Sequence, residues 1–130
     1  MDFMKESIKD LPNHDYDSSL PTCWILEGLV MYLSKNEVIK LLTELTSLSA
    51  KGSYIILHYI NNGMSIGNAS DIGHMAELLK EKGWSNEKIV KFGSDEFNYG
   101  RFQGSEPIEN WGFAFYTLEW LYDMISDNLI

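Results

Sequence analysis

The sequence predicts an α/β fold: an open, largely parallel sheet with helices, ending in an antiparallel, hairpin-like pair of strands. Three observations carry this expectation. Two strongly apolar, β-rich runs, Thr22 to Leu26 and Ser53 to Ile60, are separated by a segment of helical spacing. A second helical segment and two more strand-like runs complete the order strand, helix, strand, helix, strand, strand. The first run is apolar without alternation, which suits a parallel strand covered by helices on both faces.

Residues 1–20 are polar and carry Asp10, Asp15 and Asp17 with Pro12 between them, so they read as a lead-in loop with room for a short helix at its start. Residues 21–130 form a single α/β domain. The strand Thr22 to Leu26 stops at an acid and a glycine, Glu27-Gly28, which places a carboxylate at the carboxyl end of the strand, where open α/β sheets bind ligands. Ser34, three residues before Glu37, opens a capping box, and Val38, Leu41, Leu42, Leu45 and Leu48 continue at helical spacing. Lys51-Gly52 closes that helix and Ser53 to Ile60 follows as the second strand. After a loop bearing Asn61-Asn62-Gly63 and Gly67-Asn68, Ser70 or Asp71 caps a second helix through Ile72, Met75, Ala76 and Leu79, which Gly83 ends. Glu87 to Phe92 reads as a short third strand and Gly112 to Leu118 as a fourth, joined by a long acidic loop. From Glu119 onward, Trp120, Leu121, Met124 and Ile125 suit an amphipathic helix.

At 130 residues, with 45% hydrophobic and 13% aromatic side chains, the chain has the material for one ordinary core. A formal charge of −9 argues against a nucleic-acid binder, which would cluster Lys and Arg against phosphates. Arg101 is the only arginine and so the one side chain able to grip a carboxylate with a planar fork. The single cysteine, Cys23, lies within the apolar run; it reads as a buried structural thiol and suits a reducing, cytoplasmic setting. No stretch approaches the roughly 20 apolar residues of a membrane span, and the acidic start does not resemble a signal peptide. His14, His58 and His74 have no metal-ligand spacing, so no metal site is expected, and His58, near the carboxyl end of the second strand, reads as a satisfied core or surface histidine ahead of a pocket residue. Tyr32 reads as core or pocket wall.

The run Pro21-Thr22-Cys23-Trp24-Ile25-Leu26-Glu27-Gly28-Leu29-Val30-Met31-Tyr32-Leu33 resembles the signature of the leucine carboxyl methyltransferase family, S-adenosylmethionine-dependent O-methyltransferases. Asp10-Leu11, Gly52-Ser53, Gly83-Trp84 and Asn98-Tyr99-Gly100-Arg101 agree with the resemblance in order along the chain. It implies the C-terminal half of a Rossmann-like class I methyltransferase sheet, from the fourth of seven strands to the last. It also implies that Glu27, with Gly28, lies at the cofactor pocket near the methionine or ribose part of S-adenosylmethionine, and that Asp10 and Leu11 flank the adenine. The family's glycine-rich strand-to-helix turn and its ribose-binding acid fall upstream of the matching region; Gly63 and Gly67 follow the wrong strand to replace them. Weak or absent cofactor binding is therefore expected of this chain alone.

Methyl transfer from a sulfonium is an in-line displacement that discharges a cation, so the protein's share is positioning and desolvation. Glu27 can orient a cationic donor. A carboxylate acceptor needs no general base, whereas a hydroxyl must first lose its proton. Arg101 is a candidate to hold an acceptor carboxylate and Tyr99 to line the acceptor pocket; the alternatives are a surface ion pair for Arg101, near Asp95 and Glu96, and simple packing for Tyr99. Small acids, polyketide hydroxyls and a protein C-terminal carboxylate all stay open as acceptors.

Two functional readings follow. The chain is part of an active O-methyltransferase, or it is a non-catalytic remnant of the fold that binds a partner or oligomerises. In either case the strand Thr22 to Leu26 lacks a sheet neighbour on one side, and its cover is expected from the N-terminal half of the fold, from a second copy, or from the chain's own first residues.

Overall fold

A computed structural model describes residues 5–60, 72–94, 96 and 108–119. Four strands, β1 (Cys23–Leu26), β2 (Tyr54–Ile60), β3 (Trp84–Phe92) and β4 (Ile108–Leu118), form one sheet with the order β1-β2-β4-β3. β1 runs parallel to β2, with Leu26 opposite Leu57, and β4 is antiparallel to both β2 and β3. This is the predicted α/β architecture, with the antiparallel pair at its end.

Helix α1 (Lys35–Ser47) starts where the sequence places it. The Ser34 hydroxyl accepts from the Glu37 amide at 3.2 Å and the Glu37 carboxylate accepts from the Ser34 amide at 3.0 Å, so two otherwise orphaned donors are satisfied. Its face of Val38, Leu41, Leu42 and Leu45 is buried, and Leu42 and Leu45 completely so. Each such leucine contributes on the order of 1.5–3 kcal/mol by leaving water. Helix α2 (Ile72–Glu81) ends at Gly83, whose φ of +98° suits a residue without a Cβ.

The lead-in residues are tied to this frame. A short 3-10 helix, Ile8–His14, buries Ile8 in the core. Farther on, the Tyr16 hydroxyl donates to the Leu48 carbonyl at 2.8 Å and lies 3.0 Å from Thr22 Oγ1, joining the end of α1 to the start of β1.

Three expectations are corrected. β1 is not covered on both faces: Leu26 is buried, but Ile25 is 62% exposed and Cys23 is exposed rather than a buried thiol. Both crossovers, β1 to β2 and β2 to β3, advance in the same direction across the sheet, and right-handed connections then put α1 and α2 on the same side. Val38, Leu42, Met75 and Leu79 accordingly share one core with Ile55, Leu57 and Tyr59, while Tyr54, Ile56, His58 and Ile60 point to the other face. Tyr32, in a 3-10 turn at Val30–Tyr32, is 62% exposed and is not core. β3 begins at Trp84, three residues before the predicted Glu87; a register shift between Ser85 and Lys88, with Asn86 at φ +55°, breaks the alternation that marks a strand in sequence. The 61–71 loop with Gly63 and Gly67, the Ser70 or Asp71 cap, and the tail through Trp120, Leu121, Met124 and Ile125 lie outside the described residues.

Candidate functional site

The parallel pairing of β1 and β2 brings their carboxyl ends side by side. Because Leu26 faces Leu57, the next residues, Glu27 and His58, become neighbours. Glu27 and Gly28 are both exposed. Gly28 has a φ of +62°, and an added Cβ would meet nothing within 4 Å, so glycine is favoured there by backbone conformation and not by space. The turn thereby directs the chain from the end of β1 into the Val30–Tyr32 helix and leaves the Glu27 carboxylate in solvent at the carboxyl end of the strand, the end at which open α/β sheets in general bind ligands.

His58 occupies the centre of this edge. Its Nδ1 accepts from the Gly28 amide at 3.1 Å. The imidazole lies between Phe113, at a centroid distance of 5.1 Å, and Trp111, at 5.8 Å, and Trp111 stacks in turn on Phe92 at 4.6 Å. The Trp111 indole N–H faces His58 Nε2. Burial holds the imidazole pKa below its ordinary value; the nearby Glu27 charge pulls the other way and is the smaller effect. A neutral ring is the form these surroundings favour. Against the expectation of a satisfied core or surface histidine ahead of a pocket residue, His58 is half-buried and its Nδ1 holds the Glu27–Gly28 turn.

The other predicted residues fall elsewhere. Asp10 lies in the Ile8–His14 helix, where its carboxylate accepts from the Ser7 amide at 3.4 Å in a capping box, and Leu11 is half-buried against the core. That helix packs on α1, and the Ser7 hydroxyl donates to Glu44 at 2.9 Å. Among the described residues, no hydrogen bond or ion pair links Asp10 or Leu11 to Glu27 or Gly28. Arg101 and Tyr99 lie outside the described residues. Among those described, no group of three His, Cys, Asp or Glu is placed to hold a metal ion, and no helix is long and apolar enough to cross a membrane.

The motif around Glu27 and Gly28 falls within the stretch that matches a family model. Residues 1–46 match the leucine carboxyl methyltransferase family. The match takes in Asp10-Leu11 and the whole run from Pro21 to Leu33; the later pieces, Gly52-Ser53, Gly83-Trp84 and Asn98 to Arg101, lie beyond it. A protein of Mycobacterium ulcerans (strain Agy99), named "Putative S-adenosyl-L-methionine-dependent methyltransferase", is 25% identical over 58% of this chain and 33% of its own length. One of Parafrankia sp. (strain EAN1pec), with the same description, is 51% identical over 28% of this chain and 12% of its own. The matches thus span at most about a third of these relatives. Among solved structures, a SAM-dependent methyltransferase from Archaeoglobus fulgidus superposes with a TM-score of 0.60, covering 87% of this chain and 66% of that one at 14% identity. At that identity the likeness concerns the fold, and it agrees with the methyltransferase sheet that the leucine carboxyl methyltransferase resemblance implies.

Proposed function

We propose that this chain forms the C-terminal part of an S-adenosylmethionine-dependent O-methyltransferase of the leucine carboxyl methyltransferase type, acting on a carboxyl or hydroxyl acceptor. The observation that carries the reading is the position of Glu27-Gly28: the family-matched acid lies exposed at the carboxyl end of β1, beside the end of β2. The residues present suit the cationic end of S-adenosylmethionine. A solvent-facing carboxylate complements an ammonium or sulfonium charge, and the left-handed glycine that follows leaves open space beside it. When bound, the cofactor supplies the methyl group and its electrophilic sulfonium; the chain's own part is to orient that charge.

The rest of the pocket is supplied by the N-terminal half of the fold. Its natural seat is the outer edge of β1, unpaired among the described residues, and the adjoining surface where Ile25 and Tyr54 are 62% and 55% exposed. A second copy on the same edge is the alternative, and it belongs with the non-catalytic, oligomerising reading. A reducing, cytoplasmic setting suits the lone exposed thiol of Cys23.

The test is methyl-donor binding to a version of the chain extended upstream through the glycine-rich half. The extended protein is expected to bind S-adenosylmethionine, and Glu27→Gln to weaken it by about tenfold, the loss of one charge-assisted contact worth about 1.4 kcal/mol. Equal affinity in the variant would remove Glu27 from the pocket.

A further inference from the structure

We infer that His58 is the positioning residue of the Glu27–Gly28 turn, fixing it through the lone pair of a neutral imidazole and releasing it when the ring takes a proton. The geometry stands on the contacts alone; its consequence for the methyl donor rests on the proposal that Glu27 lines the pocket.

Two donors point at one ring. The Gly28 amide reaches Nδ1 at 3.1 Å and the Trp111 indole N–H faces Nε2. A neutral imidazole has one lone pair and one N–H, so it can accept from only one of them at a time. In the tautomer protonated at Nε2, Nδ1 holds the Gly28 amide and the indole faces another N–H. In the opposite tautomer the indole is satisfied and Gly28 is released. The imidazolium accepts from neither and meets a donor on both sides. Capture of the turn therefore belongs to one protonation state of one side chain.

The turn is built to respond. Gly28 sits in the left-handed region at +62° with open space where a Cβ would stand, and both it and Glu27 are solvent-exposed, while the hydrogen bond to His58 ties this backbone to β2. The ring itself stacks on Phe113 and Trp111, contacts made on β4 and independent of the turn. Among the described residues, the charged groups that bear on the ring are few. Glu27 faces it from the end of β1 and favours the imidazolium. Trp111 and Phe113 on β4 carry no charge. On β2 the neighbours on the same face are Ile56 and Ile60, and the 3-10 turn that packs on β2 brings one titratable side chain, Tyr32. Release of the turn frees Glu27 to pair with the imidazolium it had been held beside, in place of a cationic ligand.

The test is nuclear magnetic resonance on the full chain without cofactor, following the His58 ring protons, the Gly28 amide and the Trp111 indole N–H from pH 8 to pH 5. The expected result is that the Gly28 amide proton shifts upfield with the same midpoint as the His58 ring. His58→Asn keeps an oxygen acceptor near the Nδ1 position that does not titrate, and the Gly28 amide should then stay constant across the range. His58→Phe should hold it at its released position throughout. A Gly28 amide that stays still while the His58 ring titrates would overturn the inference, and so would one that titrates unchanged in His58→Phe. The wild-type titration alone decides the first point if a variant fails to fold. Neither outcome depends on methyl-donor binding, so failure of the methyltransferase reading would leave this result standing.

Discussion

A glycine amide and a histidine ring, 30 positions apart in sequence, meet at the end of a parallel strand pair, and the chemistry of the site hangs on that meeting. Because burial holds the His58 pKa below 6.5, the unfolded chain binds protons on this residue more readily than the folded one. Stability contributed here is therefore fully present above about pH 6.5 and falls as pH drops toward the lowered folded value. Urea midpoints measured between pH 8 and pH 5 should decline for the wild type more than for His58→Asn; parallel curves would contradict this. Glu27 was legible in sequence because an acid and a glycine end an apolar run. The role of His58 was not, since it depends on the pairing of Leu26 with Leu57, and register between parallel strands is not written in either strand alone. Counting equal steps from each strand's end would have been the one available signal.

The elements that hold the site are stitched by contacts just as local. β4 runs between β2 and β3, and its Tyr116 hydroxyl donates to Glu87 on β3 at 2.6 Å. Burial, and then the bond and charge of Glu87, push that phenol above its ordinary range. Thr46 on α1 accepts from the buried Trp84 indole at 2.9 Å and donates its own O–H to the Leu42 carbonyl at 2.7 Å, so a buried donor is satisfied where α1 meets the start of β3. Gly112 marks the tightest approach: a Cβ there would stand 2.4 Å from the Val90 carbonyl oxygen and 2.9 Å from the Tyr59 hydroxyl. Gly112→Ala is expected to cost on the order of 1–3 kcal/mol or more by forcing β3 away from β4, read as a lowered denaturant midpoint. An unchanged midpoint would show that the strand pair yields without cost. The capping box, both parallel strands and the terminal pair were readable in sequence from spacing and composition. The early start of β3 was not, because a bulge with Asn86 at positive φ interrupts the two-residue period by which strands are recognised.

At the scale of the whole molecule, α1 and α2 cover one face of the sheet, while on the β1 side Cys23, Ile25 and Tyr54 are exposed among the described residues. The burial expected for β1 fails at Cys23 and Ile25 because an unbroken apolar run says that a strand is built for cover, without saying which chain supplies it. An exposed apolar strand at the end of a sheet is in general an association hazard. Sedimentation of the chain should show a concentration-dependent dimer or larger species, and Ile25→Lys should shift it toward monomer by placing a charge on that edge. A wild-type monomer at every concentration, with freely exchanging β1 amides, would contradict the account. The most direct test of the central claim, that Glu27 forms one wall of a methyl-donor pocket completed elsewhere, is calorimetric titration of S-adenosylmethionine into this chain alone. The account predicts weak or undetectable binding; a micromolar dissociation constant would contradict it.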